Sequence, residues 1–124
     1  MTEDRTFKTF NASAFLANFA GMEDLAVASI AAFQKGLPEL FHDVDEAIRL
    51  RNADLLRRSS HTFKGVVSNF RSESCRSLLE SIERDATSSP DWVEIEQRMD
   101  RLRGDIRELS SELGQLVERL TKGV

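Results

Sequence analysis

The chain has 124 residues, 40% of them hydrophobic and 31% charged, with two prolines, six glycines and no tyrosine. This composition suits one globular domain over residues 1–124 with a buried core, and it leaves too few turn formers for an all-β fold. A net charge of −4 and a pI of about 5.2 argue against attraction to nucleic acid, and no apolar run approaches the length of a membrane span.

The N-terminus shows no charged leader followed by an apolar stretch, so no signal peptide is expected. "FNASAFLANF" reads as a short first helix, with Asn11 or Ser13 available as its cap and Gly21 ending it. A long helix follows from about Glu23 to Arg51. Its apolar residues Ala26, Ile30, Phe33, Leu37, Leu40, Val44 and Ala47 alternate in steps of four and three, which makes one buried stripe. Pro38 removes a backbone donor inside it, so a kink or short break is expected there. "RNADLL" marks a new start at Asn52 and Asp54, and the helix it opens is predicted to run to about Arg71. "SESCRSLLESIERDA" is a fourth segment with Cys75, Leu78, Leu79 and Ile82 facing inward. "TSSP" is a turn in which Ser89 caps and Pro90 takes the first helical position. The last helix carries Trp92, Ile95, Met99, Leu102, Ile106, Leu109, Leu113, Leu116 and Leu120 at three-four spacing.

Four long amphipathic segments on short connections predict an all-α fold, an antiparallel four-helix bundle with a short extra N-terminal helix. The last stripe also allows a dimeric coiled coil, but one stripe per helix suffices for an internal bundle, so a monomer is expected. Cys75 is the single cysteine, so it forms no internal disulfide, and it reads as a small buried hydrophobe. These features fit a reducing cytoplasm.

"RRSSHTFKGVVSNF", residues 57–70, concentrates the chemistry. On a wheel centred on His61, Arg57, Arg58, Lys64, Gly65 and Ser68 fall within about 60° of it, while Leu56, Phe63, Val66, Val67 and Phe70 cluster near 200°. His61 is therefore expected on the solvent face among basic and small groups. Gly65 lacks the side chain that would crowd the imidazole from one turn away. Lys64 is mildly unfavourable beside an unmodified histidine and favourable beside a phosphorylated one, because its ammonium would then face anionic oxygens. Read one at a time, an exposed histidine, a lysine and a helical glycine are ordinary features of a solvated face.

Rival readings find less support. His42 and Cys75 have no ligand spacing to His61, so no metal site is expected. The short basic face lacks aromatic interleaving, which weighs against nucleic-acid binding. The chain has no GxxxxGK[ST] motif and no nucleotide-binding glycine loop, so it is not expected to be an enzyme or to bind ATP.

"SHTFKGVVSNF" closely resembles the motif of the histidine-containing phosphotransfer (HPt) domain family, through His61, Thr62, Phe63, Lys64, Gly65, Asn69 and Phe70. "AAFQKGLPELFHDVDEAIRLRNADLLRRSSHTFKG" and "SCRSLLESIERDA", with its Leu79-Glu80 pair, extend the resemblance over about residues 10–120. Two positions depart from the family pattern. Arg71 stands where a glycine is usual, and Ser60 where an alanine is usual before the histidine.

The resemblance implies that His61 accepts a phosphoryl group from an aspartyl phosphate on a receiver domain and passes it on within a two-component phosphorelay. Lys64 would be the charge partner and Gly65 the steric clearance. Nε2, farther from the backbone, would be the phosphorylated nitrogen. No carboxylate is expected near the histidine, so magnesium would be supplied by the partner receiver and the chain would carry no cofactor of its own. Arg57, Arg58, Ser68 and Arg71 would form a basic docking face for receivers and a sensor histidine kinase, complementary to an acidic pocket. The alternative is a non-catalytic helical adaptor that docks receivers or dimerises. The helical ends favour a free-standing protein over a piece of a hybrid kinase.

Overall fold

The computed structural model describes residues 7–122. It is all-α, with five helices and no strand among the described residues: α1 (Ala12–Ala17), α2 (Glu23–Arg49), α3 (Ala53–Ser68), α4 (Glu73–Thr87) and α5 (Trp92–Lys122). The four long helices pack in a closed ring, α2 on α3, α3 on α4, α4 on α5 and α5 back on α2.

The helix starts follow from local chemistry. Asn11 Oδ1 accepts from the Ala14 N–H at 2.9 Å, and Asn52 Oδ1 from the Leu55 N–H at 3.0 Å, so both asparagines satisfy donors that a helix leaves open at its first turn. At α5 the cap differs from expectation. Asp91, not Ser89, accepts from the Glu94 N–H at 3.2 Å, and Pro90 stands before the helix instead of in its first turn. Pro38 causes no break, because α2 continues through it on the exposed side of the helix.

Two turns use the same device. Arg51 and Arg71 take left-handed φ values of 53° and 58°, and Asn52 and Ser72 follow in extended N-cap conformation. Reversal at Arg71 stops α3 at Ser68, three residues before its expected end. The turn is where a glycine would sit most easily, which gives physical content to the family's usual glycine at this position.

The apolar stripes lie inside as the spacing predicts. Ala26, Ile30, Phe33, Val44 and Ala47 of α2 are buried, as are Leu56, Phe63 and Val67 of α3 and the α5 series from Ile95 to Leu116. Leu37, Leu40, Leu78, Trp92 and Leu120 are only partly buried and pack against this core. Phe70, just past α3, lies between Phe15 of α1 at 5.2 Å and Phe33 of α2 at 4.5 Å between ring centroids. Cys75 is fully buried, and that burial pushes its thiol pKa up.

One clasp was not legible in the sequence. Glu112 of α5 is buried, and its carboxylate accepts from the N–H groups of Lys8 and Thr9 and, at 2.6 Å, from the Thr9 hydroxyl. This holds the N-terminal segment on α5, where Phe7 and Phe10 are buried and the Arg119 guanidinium lies 4.9 Å from the Phe7 ring centre.

Candidate functional site

α3 displays His61 because its opposite face is locked. Phe63, two residues on, is fully buried and meets Phe41 of α2 edge to face at 5.0 Å. Ser60 is also fully buried, and its hydroxyl donates to the Leu56 carbonyl at 2.6 Å. A small residue is therefore required immediately before the histidine, and serine fits because its hydroxyl is satisfied one turn back along the helix. With these neighbours fixed, the His61 side chain points outward and remains 66% exposed.

The sequence reading missed the residue that organises this site. Glu83 of α4 reaches across to α3. Its Oε2 lies 2.9 Å from His61 Nδ1, and its Oε1 lies 2.8 Å from Lys64 Nζ. Only 22% of the Glu83 side chain is exposed. Burial alone would raise its pKa, but Lys64 and His61 outweigh that and hold the carboxyl below its ordinary range. The expectation of no carboxylate near the histidine is thereby corrected. A helical wheel compares residues within one helix, whereas Glu83 arrives from a neighbouring one. The available signal was its place in "SLLESIER", one residue after the buried Ile82 and hence at the edge of the packed face.

Glu83 also changes the reading of Lys64. The lysine is not a bare cation beside the imidazole, because one carboxylate serves both groups. Nδ1 is the ring nitrogen that meets Glu83, so in the tautomer with Nδ1 protonated the carboxylate accepts from Nδ1–H and Nε2 carries the free lone pair. Gly65 is exposed, and a Cβ built there meets nothing within 4 Å. Gly104 and Gly114 are equally open, so openness alone marks no site.

The basic docking face is more neutral than expected. Arg57 and Arg58 both pair with Asp54, one turn earlier on α3, at 2.9 and 3.2 Å. The Asp54 carboxyl is held below its usual range by this, chiefly through the Arg57 hydrogen bond. The Ser68 hydroxyl turns inward along the helix and donates to the Lys64 carbonyl at 2.7 Å. Arg71 lies beyond the end of α3, and its guanidinium meets Asn18 Oδ1 at 3.4 Å. The structure thus brings His61 and Lys64 together with Glu83, keeps Gly65 beside them, and directs the arginines to other partners.

His42 is exposed on α2. No group of three His, Cys, Asp or Glu among the described residues is arranged to hold a metal ion, and no described helix is long and apolar enough to cross a membrane.

Among known families, the one described as the Hpt domain matches residues 28–121, most of the chain. No curated protein and no solved structure gives a significant match.

Proposed function

The chain belongs to the Hpt domain family, whose members carry phosphoryl groups in two-component signalling and are not kinases, and we propose from that premise that His61 is its phosphoryl acceptor. The observation that carries this reading is the pairing of an exposed imidazole with a half-buried carboxylate through Nδ1. In the proposed step the Nε2 lone pair attacks the phosphorus of a receiver's aspartyl phosphate. An N–P bond forms, the P–O bond to the aspartate breaks, and the aspartate leaves as a carboxylate. The ring keeps its Nδ1 proton, and the positive charge that develops on it faces Glu83.

Lys64 is the proposed charge partner. Its flexible stem allows the ammonium to exchange Glu83 for the arriving phosphoryl oxygens. Gly65 supplies clearance for the receiver's approach. Magnesium and the reacting aspartate belong to the receiver in this scheme, and Arg57, Arg58, Ser68 and Arg71 lie around the docking area. The ring of four long helices is read as an antiparallel four-helix bundle, a rigid support for one displayed side chain. Carriage between receivers, or from a hybrid kinase to a response regulator, is the role proposed within a relay.

The test is transfer in vitro. A receiver loaded with labelled phosphate is mixed with wild type and with His61→Gln. Label on wild type alone, stable to base and labile to acid, is the expected outcome. Receiver binding without label on wild type would replace the carrier with a docking adaptor.

A further inference from the structure

The two left-handed arginines meet opposite circumstances. Arg51, before α3, pairs with Glu96 at 3.2 Å and lies 5.4 Å from the Trp92 ring centre. The Arg71 guanidinium, before α4, has one polar contact among the described residues, the 3.4 Å hydrogen bond to Asn18 Oδ1. The carboxylates that follow on α4 are engaged elsewhere. Arg76 and Arg84 share Glu73 and Glu80, two cations on two carboxylates, so the charge of Arg71 is left without an internal counterpart.

This guanidinium lines a cavity of about 500 Å³. Asn18 and Phe19 border it from the residues after α1, Ser29 from α2, and Ser68 and Asn69 from the end of α3. No Asp or Glu lines it. The Ser29 hydroxyl and the Asn69 side-chain amide have no hydrogen-bond partner among the described residues, and Asn18 uses only its Oδ1, toward Arg71. The Ser68 hydroxyl is turned away to the Lys64 carbonyl. His61 does not border the cavity. Asn69 stands eight residues beyond it, about 12 Å along a helix axis.

We propose that this cavity binds a small-molecule phosphate monoester, its phosphate on the Arg71 guanidinium and its body against the partly buried Phe19. The inference is independent of the carrier reading. The donors on Arg71, Asn18, Ser29 and Asn69 come from separate segments. A phosphate monoester matches them with three terminal oxygens and nearly two charges, whereas a carboxylate has two oxygens in one plane. The strained backbone at Arg71 points the same way, because its side chain gains far less inside the fold than that of Arg51.

The experiment is an NMR titration of the full chain with phenyl phosphate, inorganic phosphate and benzoate. Wild type is compared with Arg71→Gln and Ser29→Ala, each checked by thermal melting. Phenyl phosphate is expected to bind saturably and to shift the amide signals of Asn18, Ser29, Asn69 and Arg71. Arg71→Gln should raise its Kd about tenfold or more, the loss of a charge-assisted pair, and Ser29→Ala about threefold. Benzoate should bind at least about tenfold more weakly than phenyl phosphate. Where Arg71→Gln lowers the melt, Ser29→Ala decides. Shifts centred on Arg57, His61 and Lys64, no saturable binding, or an unchanged Kd in both variants would overturn the site. Benzoate binding as tightly as phenyl phosphate would overturn the phosphate class, and inorganic phosphate doing so would replace the monoester with free phosphate.

Discussion

At the scale of single residues, the site depends on one carboxylate holding two bases. Glu83→Gln keeps an acceptor but loses the charge that faces the ring. Transfer is expected to slow about tenfold or more, by analogy with carboxylates that orient metal-bound imidazoles. Nitrogen NMR of His61 should show Nδ1–H as the main neutral form in wild type and a mixed population in the variant. An unchanged tautomer ratio would remove Glu83 from the mechanism. Gly65 separates fold from function. Because nothing lies near its missing Cβ, Gly65→Ala should stabilise the protein by about 1 kcal/mol in urea titration. The same variant should transfer phosphate more slowly, since the added methyl stands one turn from the imidazole. Faster or equal transfer would leave the glycine without a functional role.

At the scale of elements, the turn into α4 has a residue of the wrong kind for its backbone. Arg71 holds φ at 58°, where a side chain meets steric resistance that glycine escapes. Arg71→Gly is expected to stabilise the fold by up to about 1 kcal/mol, the strain relieved being partly offset by glycine's greater unfolded-state entropy. Chemical denaturation measures this, and a loss of stability would mean that the 3.4 Å contact with Asn18 matters more than the strain. Helix identity was legible because each stripe repeats over several turns. Helix ends were less so. The stop at Ser68 comes from the reversal at Arg71, and Asp91 outcompetes Ser89 as the α5 cap by standing immediately before the first helical residue.

At the scale of the whole molecule, the Glu112 clasp joins the N-terminal segment to the far end of the chain. Burial would raise the Glu112 pKa, but the Lys8 and Thr9 donors outweigh it and hold the carboxyl below its ordinary value of 4.5. A lowered folded pKa contributes stability that is present above the unfolded value and is lost as pH falls through the folded one. Wild type should therefore lose stability progressively from about pH 5 downward, with Glu83 adding to the same slope. Glu112→Ala should cost about 2 kcal/mol at pH 7 and flatten part of this acid dependence. Denaturation curves across pH 3–7 measure both effects, and parallel curves for the two proteins would rule the clasp out.

The sequence by itself determined the helical class, the buried stripes and the exposure of His61. These depend on the 3.6-residue period, which acts within one helix and can be counted along the chain. It also carried the family resemblance that the match over residues 28–121 supports. Only the tertiary structure decided what stands beside the histidine. Glu83 is 22 residues from His61 in the chain, and Glu112 more than a hundred from the backbone it clasps. Such pairings depend on how one helix is rotated against another, which no pattern within a single helix records. Counting cations around one wheel gave a basic face, and packing showed that Lys64 among them already had a partner in Glu83 of α4.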